Sequence, residues 1–297
     1  MKRCFSGTAL ALAISAGSAV AVDLPSNKAA PAFVPPPPPS WTGGYIGLSA
    51  GYTWTQNDSV TTTTGPVFDA KPGGYATTTA ILGTFSAPTR LEGFIGGGQA
   101  GYNYELYSKF VLGLEADIQG LSSSAATTTV TSAAFNPIIL GGSTAAQAST
   151  ITRSLDYFGT VRGRLGYAVL PNLLVYGTGG LAYGGASART SIFFAYPPAS
   201  GAGDIAASGF AETRTGWTAG GGLEWMFMAG WSAKVEYLHY DLGSVSYGVG
   251  PMVSVTPVKV HFVDFGASSV NVQGHIVRAG LNYHFDLASP IPVLAKF

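Results

Sequence analysis

Charge is scarce in this sequence, and long apolar runs are missing beyond its N-terminus. Charged residues make up 10% of the 297 residues and hydrophobic residues 46%, and there are 41 glycines. Because a soluble protein carries roughly 25% charged residues, this composition argues against a soluble globular domain. After the N-terminal segment no apolar run reaches 18 residues, and the most apolar stretch, 165–183, is interrupted by Pro171 and Asn172. Transmembrane helices are therefore not expected either.

Cysteine is almost absent, and the one cysteine lies in a segment typical of an export signal. Residues 1–21 combine two basic residues, an apolar run over 9–14 and a small-x-small ending, which predicts a signal peptide cleaved near Ala21. Cys4 precedes the apolar run instead of following the cleavage point, so lipid attachment to a mature N-terminal cysteine is excluded. The mature chain then has no cysteine, which excludes a disulfide scaffold and thiolate metal sites.

The predicted mature chain is nearly neutral and begins with a proline-rich segment. Without Lys2 and Arg3, 13 basic residues face 15 acidic ones, a formal charge of −2. This balance suggests neither a nucleic-acid partner nor an acidic-lipid partner. Residues 22–43 are interpreted as a Pro-rich periplasmic linker, because the five prolines of 35–39 have a fixed φ and no backbone donor. A spacer is the favoured role, with a weak cell-wall or partner contact as the alternative.

The other structure that satisfies every backbone group in lipid is a closed β-barrel. Its signature is a series of segments of roughly ten residues with alternating polarity. In FVLGLEADIQG (110–120), Leu112 and Leu114 share one face, and Glu115 and Asp117 share the other. Eight such segments occur, at 44–54, 94–104, 110–120, 157–167, 173–183, 217–225, 231–240 and 275–285. The fifth has an ambiguous register, since both of its faces are apolar or small. The predicted fold is all-β, a closed antiparallel eight-stranded transmembrane β-barrel over residues 44–285.

The connections between these segments alternate in length. Those at 105–109, 169–172 and 226–230 are short, and those at 55–92, 121–155, 185–213 and 243–273 are long. Short periplasmic turns and long external loops are typical of an outer-membrane barrel, so both termini are expected in the periplasm. The long segments leave an alternative open, in which strands near Thr77–Phe85 and Val255–Phe265 extend beyond the membrane or raise the count to ten.

Aromatic residues collect next to the short turns and at the C-terminal end of the last segment. Such a position is typical of an interfacial aromatic girdle, and its predicted members are Tyr104, Phe110, Tyr167, Trp225, Trp231 and Tyr283. Trp54, Tyr183, Trp217 and Tyr237 are candidates for the opposite girdle. The last segment ends on Phe285, which is predicted to be the C-terminal signal read by the barrel-assembly machinery. Residues 286–297 contain Pro290 and Pro292 and are expected to be a C-terminal tail outside the ladder.

The charged residues of the strands fall on the inward face. Counted from the short turns, Glu115 and Arg162 lie opposite each other on neighbouring strands, as do Glu236 and Arg278, while Glu224 neighbours Lys234. An eight-stranded barrel is only just wide enough for its interior side chains, and an unpaired buried charge costs several kcal/mol. The sequence therefore predicts a lumen ion-pair network. Its members are Glu115, Asp117, Arg162, Arg164, Glu224, Lys234, Glu236 and Arg278. A narrow or gated conductance path is the alternative, and acid/base catalysis the least favoured reading, because a filled lumen denies substrate access.

No metal or cofactor motif accompanies these charges. The four histidines, His239, His261, His275 and His284, are interpreted as scattered over strands and a loop. Haem contact by His261, Tyr196 or Tyr247 is the alternative to solvated loop side chains. We expect no catalytic residues, no metal and no cofactor. The glycine runs are not phosphate loops and are expected to relieve crowding in a tightly curved barrel.

Several stretches resemble a known family, the small outer-membrane β-barrel proteins of alphaproteobacteria, often called outer-membrane immunogenic or porin-like proteins. They are WTGGYIGLSAGYTW, GGGQAGYNYE, FVLGLEADIQG, FGTVRGRLGYA, LLVYGTGGLAYG and VRAGLNYHF. The resemblance implies an eight-stranded barrel similar to the OmpA transmembrane domain, in the outer membrane of a Gram-negative cell, with envelope-structural and surface-antigen roles. The expected partners are outer-membrane lipid, the barrel-assembly machinery and unidentified surface ligands of the loops. A small-solute pore is the runner-up function, and a surface lipid-modifying enzyme the third.

Overall fold

The computed structural model of the protein describes residues 40–56, 59–66, 75–107, 109–122, 125–137, 143–195, 203–255, 260–262 and 264–285. The predicted signal peptide, residues 22–39 of the predicted linker and the predicted tail 286–297 lie outside these ranges. Within them the chain forms thirteen strands and one helix, α1 (Tyr75–Gly83). The strands are β1 (Gly43–Thr55), β2 (Ser59–Pro66), β3 (Phe85–Pro88), β4 (Glu92–Glu105), β5 (Phe110–Leu121), β6 (Ala125–Asn136), β7 (Ser143–Leu170), β8 (Leu173–Ala195), β9 (Gly203–Met228), β10 (Trp231–Val249), β11 (Val253–Val255), β12 (Val260–Phe262) and β13 (Asp264–Phe285). Over the described ranges, no helix is long and apolar enough to cross a membrane.

Eight of the strands form a closed antiparallel ring. The ring order is β1, β4, β5, β7, β8, β9, β10 and β13, and β13 pairs back onto β1 from Gly44↔Phe285 to Thr55↔Gly274. Closure matters because it leaves the ring without a free backbone edge. The predicted eight-stranded antiparallel barrel is confirmed, and each predicted segment lies in one ring strand. The ten-stranded alternative is not what forms.

The side chains of the ring are apolar outside and polar inside, as the alternation predicts. Outward residues such as Leu48, Leu114 and Leu181 are 72%, 68% and 68% exposed, whereas inward Gln119 and Arg162 are buried. A soluble protein arranges these classes the other way round. In β8 the ambiguous register is resolved, since Leu174 and Tyr176 are buried while Val175 and Leu181 are exposed.

Three of the four long connections, 121–155, 185–213 and 243–273, are largely strand and not loop, which corrects the expectation of long external loops. β7, β8 and β9 have 28, 23 and 26 residues and continue well past the predicted segments. Together with the continuations of β10 and β13 they form an extension of the ring with an apolar core of its own, in which Ile151, Ile192, Phe194, Val245 and Val270 are buried. Many of the other residues in this extension are Thr and Val, whose branched side chains favour strands. Small and hydroxyl residues concealed this alternation in the sequence.

Five strands outside the ring and the helix complete this extension. β2 pairs with β13 and β3, β6 pairs with β7, and β11 pairs with β9 and β12. A strand near Thr77–Phe85 was the open alternative, but α1 occupies residues 75–83 and β3 follows it. The helix is held because Thr64 donates its hydroxyl to the carbonyl of Ala80 at 2.7 Å and both residues are buried. Near Val255–Phe265, β11 and β12 are three-residue strands that pair with each other.

The interior of the ring is layered. At the end that carries the short turns, an apolar cluster contains Trp41, Val111, Leu174 and Met226. The charged side chains follow, and beyond them lies a second apolar cluster: Leu91, Ile95, Leu155, Phe158, Ala182, Ala186, Leu238, Tyr240, Leu242, Val272 and Ile276. The core of the extension lies outermost. The charged layer is thus enclosed between two apolar layers.

Candidate functional site

The ring strands bring the charged residues together in the register that was predicted from the sequence. Glu115 lies opposite Arg162, and Glu236 lies opposite Arg278. Lys234 lies opposite Glu224. All eight predicted side chains point inward, and the side chains in the ion pairs below are at most 2% exposed. Four acids and four bases make the layer formally neutral.

Glu115 is the centre of this layer. Its carboxylate pairs closely with Arg162 and lies 3.5 Å from the guanidinium groups of both Arg164 and Arg278. Lys234 donates from Nζ to both of its oxygens, at 2.9 and 2.8 Å. One carboxylate therefore faces four cations, where the sequence predicted a single pair.

Lys234 and Glu224 are neighbours in register but bind elsewhere. Lys234 reaches across the lumen to Glu115, while Glu224 accepts from Arg164 at 2.6 Å, from Ser232 at 2.6 Å and from Asn282 at 2.7 Å. Neighbouring Cα atoms fix where a long side chain starts but not where its charged end goes, since Lys has a flexible four-carbon stem.

Two arginines bridge the remaining acids. The guanidinium nitrogens of Arg162 lie 3.0 Å from carboxylate oxygens of both Asp117 and Glu236. Those of Arg278 lie 2.9 Å from Asp117 and 2.6 Å from Glu236. Thr160 also donates to Asp117 at 2.7 Å. The planar guanidinium, with five donors in a fixed fork, suits it to such shared contacts. The result is one continuous network and not separate pairs.

Two tyrosines belong to this layer that were not predicted from the sequence. The Tyr45 hydroxyl donates to Glu115 at 2.7 Å and accepts from Arg164 at 2.7 Å. Tyr176 donates to Glu236 at 3.1 Å, and the Arg164 guanidinium lies 3.9 Å from the centroid of its ring, a cation–π contact. Because side chains alternate along a strand, the outward neighbour of Tyr45 on β1 indicates that Tyr45 itself points inward. The ambiguous register of β8 gave no such signal for Tyr176.

The short-turn end of the lumen is closed by Trp41. This residue was expected in the linker, but it is 1% exposed. Its ring packs edge-on against that of His284, with the ring centroids 6.1 Å apart, and its backbone N–H donates to the carboxylate of Glu105 at 3.2 Å. Thr42, also in the expected linker, accepts from the backbone of Glu105 at 2.9 Å. The barrel thus begins before residue 44, because an indole buries far more apolar surface inside the mouth than outside it.

The predicted aromatic girdle lies outside the barrel near the short turns. The rings of Phe110 and Tyr167 are in edge contact, with their centroids 5.2 Å apart, and the ring centroids of Trp231 and Tyr283 are also 5.2 Å apart. All six predicted members are exposed: Tyr104, Phe110, Tyr167, Trp225, Trp231 and Tyr283.

Phe285 lies at the seam where the ring closes, opposite Gly44. A Cβ atom on Gly44 would come within 2.7 Å of the Phe285 ring. A side chain at position 44 would therefore displace the Phe285 ring from this position.

The histidines are not all scattered, which corrects the interpretation made from the sequence. His239 and His275 lie opposite each other on β10 and β13, with ring centroids 5.0 Å apart. His284 instead lies in the lumen, where its Nε2 is 2.8 Å from the hydroxyl of Ser232. Across the described part of the chain, no group of three or more His, Cys, Asp or Glu side chains is placed to hold a metal ion.

A closed ring of eight antiparallel strands, apolar outside and charged inside, defines a transmembrane β-barrel. The chain matches the family model of the outer membrane protein beta-barrel domain over residues 8–285, and it belongs to that family. It is an outer-membrane protein.

Its relatives include the 31 kDa outer-membrane immunogenic proteins of Brucella melitensis and Brucella suis. Each is 35% identical over 279 residues, which cover 92% of this chain and 96% of the relative. Among solved structures, the outer membrane protein OprG of Pseudomonas aeruginosa is similar over 83% of this chain and 99% of its own, with 10% identity and a TM-score of 0.37. Neisserial surface protein A is similar over 82% and 98%, with 14% identity and a TM-score of 0.30.

Proposed function

We propose that this protein is a non-catalytic structural component of the outer membrane and a surface antigen, which contributes to the integrity of the cell envelope. The observation that carries the proposal is the filled lumen. Trp41, the neutral charged layer and the apolar cluster around Phe158 follow one another across the ring. The interior of an eight-stranded barrel is just wide enough for its side chains.

The charged layer acts as a structural plug in this proposal. Desolvating eight charges is costly, and only the mutual pairing of four acids with four bases offsets that cost. Arg162 and Arg278 each bond to carboxylates from two other strands, so the layer ties the ring together across the lumen. Acid/base catalysis is not favoured, because the carboxylates are enclosed on both sides and have no face open to a substrate.

The role of surface antigen rests on the extension beyond the membrane. In it, β6 and β7 present hydroxyl pairs on their outer face, with Thr127 3.1 Å from Thr152 and Thr129 3.3 Å from Thr150. The strands give this surface a fixed shape, which suits recognition by antibodies. Two relatives are named immunogenic, and the same role is proposed here. Ligands on the cell exterior would bind the same surface.

Outer-membrane lipid and the barrel-assembly machinery are the proposed partners. The exposed apolar belt and the girdle around Trp231 and Tyr283 would face lipid, since aromatic rings favour the membrane interface. Phe285 would be read during assembly. No nucleic-acid partner is proposed.

A narrow gated pore is the second candidate, and buried polar atoms favour it. Asp117 Oδ1, Gln119 Oε1 and Arg278 Nη1 are buried and, among the described residues, have no hydrogen-bond partner. Buried polar groups of this kind usually bond to ordered water. Water in the charged layer would be the start of a conducting path, provided that the apolar layers on both sides opened.

Single-channel recording in planar bilayers separates the two candidates. The filled lumen predicts no conductance for the wild-type protein, and none for Trp41→Ala, because the charged and apolar layers remain. An open porin recorded under the same conditions serves as the control. Steady single-channel currents from the wild type, or currents that appear when Trp41 is removed, would favour the gated pore.

A further inference from the structure

We infer that His239 and His275 form a binding site for a divalent transition-metal ion, of the Zn²⁺ and Cu²⁺ class, on the outside of the barrel. Both side chains point outward, because their strand neighbours Leu238, Tyr240 and Ile276 are buried inside. Antiparallel pairing places the two histidines directly opposite each other. Imidazole is a preferred ligand of Zn²⁺ and Cu²⁺.

The separation of the two rings matches that of two imidazoles on one ion. Zn–N bonds of about 2.0–2.1 Å put each ring centroid about 3.2 Å from the metal, and a tetrahedral angle then separates the centroids by about 5 Å. The centroids of His239 and His275 are 5.0 Å apart, with 47° between the ring planes. The ladder between β10 and β13 holds this spacing before any ion binds, so binding requires little rearrangement of the backbone.

A second residue orients one of the ligands. The Tyr237 hydroxyl lies 2.6 Å from Nδ1 of His275. When Nδ1–H donates to the phenol oxygen, the Nε2 lone pair of His275 is left for the ion. Metal-binding histidines almost always use their other nitrogen in this way, and the bond fixes both the tautomer and the orientation of the ring. Tyr237 is therefore a positioning residue in this site.

His239 has a ring nitrogen without a hydrogen-bond partner in the described part of the chain, and tryptophan rings pack against both histidines. Nδ1 of His239 is buried and has no hydrogen-bond partner in the described part of the chain. The Trp217 ring packs against the His239 ring with 5.3 Å between centroids, and the Trp54 ring packs against the His275 ring with 5.5 Å between centroids. These indoles restrict the rotamers of both imidazoles. With two protein ligands, water or another small ligand would complete the coordination of the ion.

Isothermal titration of Zn²⁺ into the untagged, folded protein in detergent tests the site. The wild type is expected to bind one ion, His239→Ala and His275→Ala to bind at least tenfold more weakly, and Tyr237→Phe to lose about 10- to 100-fold. His261→Ala is the matched control, because it also removes one histidine and should bind as the wild type does. Retention of the heat-dependent shift in gel migration, which is expected of a closed barrel, confirms that each variant is folded.

A spectroscopic result and three binding results decide the inference. Electron paramagnetic resonance of the Cu²⁺-loaded protein is expected to show coupling to two imidazole nitrogens, reduced to one in either alanine variant. The inference is overturned if the wild type binds no Zn²⁺ at millimolar concentration. It is equally overturned if the two alanine variants bind like the wild type, or if His261→Ala loses as much affinity as they do.

Discussion

Replacing Glu115 with glutamine is expected to lower the free energy of unfolding by about 3–5 kcal/mol, the usual cost of leaving a buried ion without its partner. The carboxylate faces four cations, and both hydrogen bonds of the Lys234 ammonium in the described structure go to it. The substitution keeps the shape of the side chain but leaves the layer with three acids and four bases. The measurement is equilibrium unfolding in urea of the protein inserted in lipid vesicles.

The double variant Glu115→Gln/Lys234→Met is the control for this prediction. It restores neutrality, and Arg162, Arg278 and Arg164 keep their contacts with Asp117, Glu236 and Glu224. The double variant should therefore be more stable than Glu115→Gln alone, with Lys234→Met measured separately to complete the cycle. Strictly additive effects would show that the two side chains do not interact, and a small effect of Glu115→Gln would show that the layer is hydrated.

Phe285→Ala is expected to reduce strongly the amount of protein inserted in the outer membrane. The ring packs over Gly44 at the seam where β13 closes onto β1. Its loss removes both the packing that holds the seam and the terminal aromatic residue proposed as the assembly signal. The measurement is the amount of folded, heat-shifted protein in isolated outer membranes, compared with the wild type at equal expression.

Truncation after Phe285 is the matched control. The removed residues include Pro290 and Pro292, which cannot donate to a ladder, and insertion is expected to stay at the wild-type level. If the truncated protein accumulates in the periplasm while Phe285→Ala inserts normally, the signal lies in residues 286–297 instead.

The register of the barrel was predictable because each strand has a polar face and a short turn that fixes its end. Counting from the turn next to Phe110 and Tyr167 places Glu115 opposite Arg162, as the structure has it. The same counting that pairs Glu236 with Arg278 also pairs His239 with His275, so the histidine pair was within reach of the sequence. The positions of the histidines along the chain do not show this pair, whereas their strand pairing does.

Other features depend on three-dimensional packing that periodicity does not contain. The direction of the Lys234 stem and the capture of Trp41 by the barrel mouth follow from space in the lumen. The extension was hidden because its inward residues, such as Ala145, Ala188 and Ala206, are as small as many of the outward ones. Alternation between alanine and threonine carries little contrast in polarity, although it packs well once the ring is closed.

The barrel is expected to lie with its short turns in the periplasm, the belt around Leu114 in lipid, and the β6–β7 sheet outside the cell. Because the mature chain is predicted to have no cysteine, single cysteines can be introduced at three exposed positions, Thr129→Cys, Leu114→Cys and Tyr107→Cys, and treated with a membrane-impermeant thiol reagent. On intact cells only Thr129→Cys should react. After permeabilisation Tyr107→Cys should react as well, and Leu114→Cys should stay unmodified until the barrel is unfolded. Labelling of Tyr107→Cys but not Thr129→Cys on intact cells would reverse the orientation, and labelling of Leu114→Cys in the folded protein would contradict the transmembrane barrel itself.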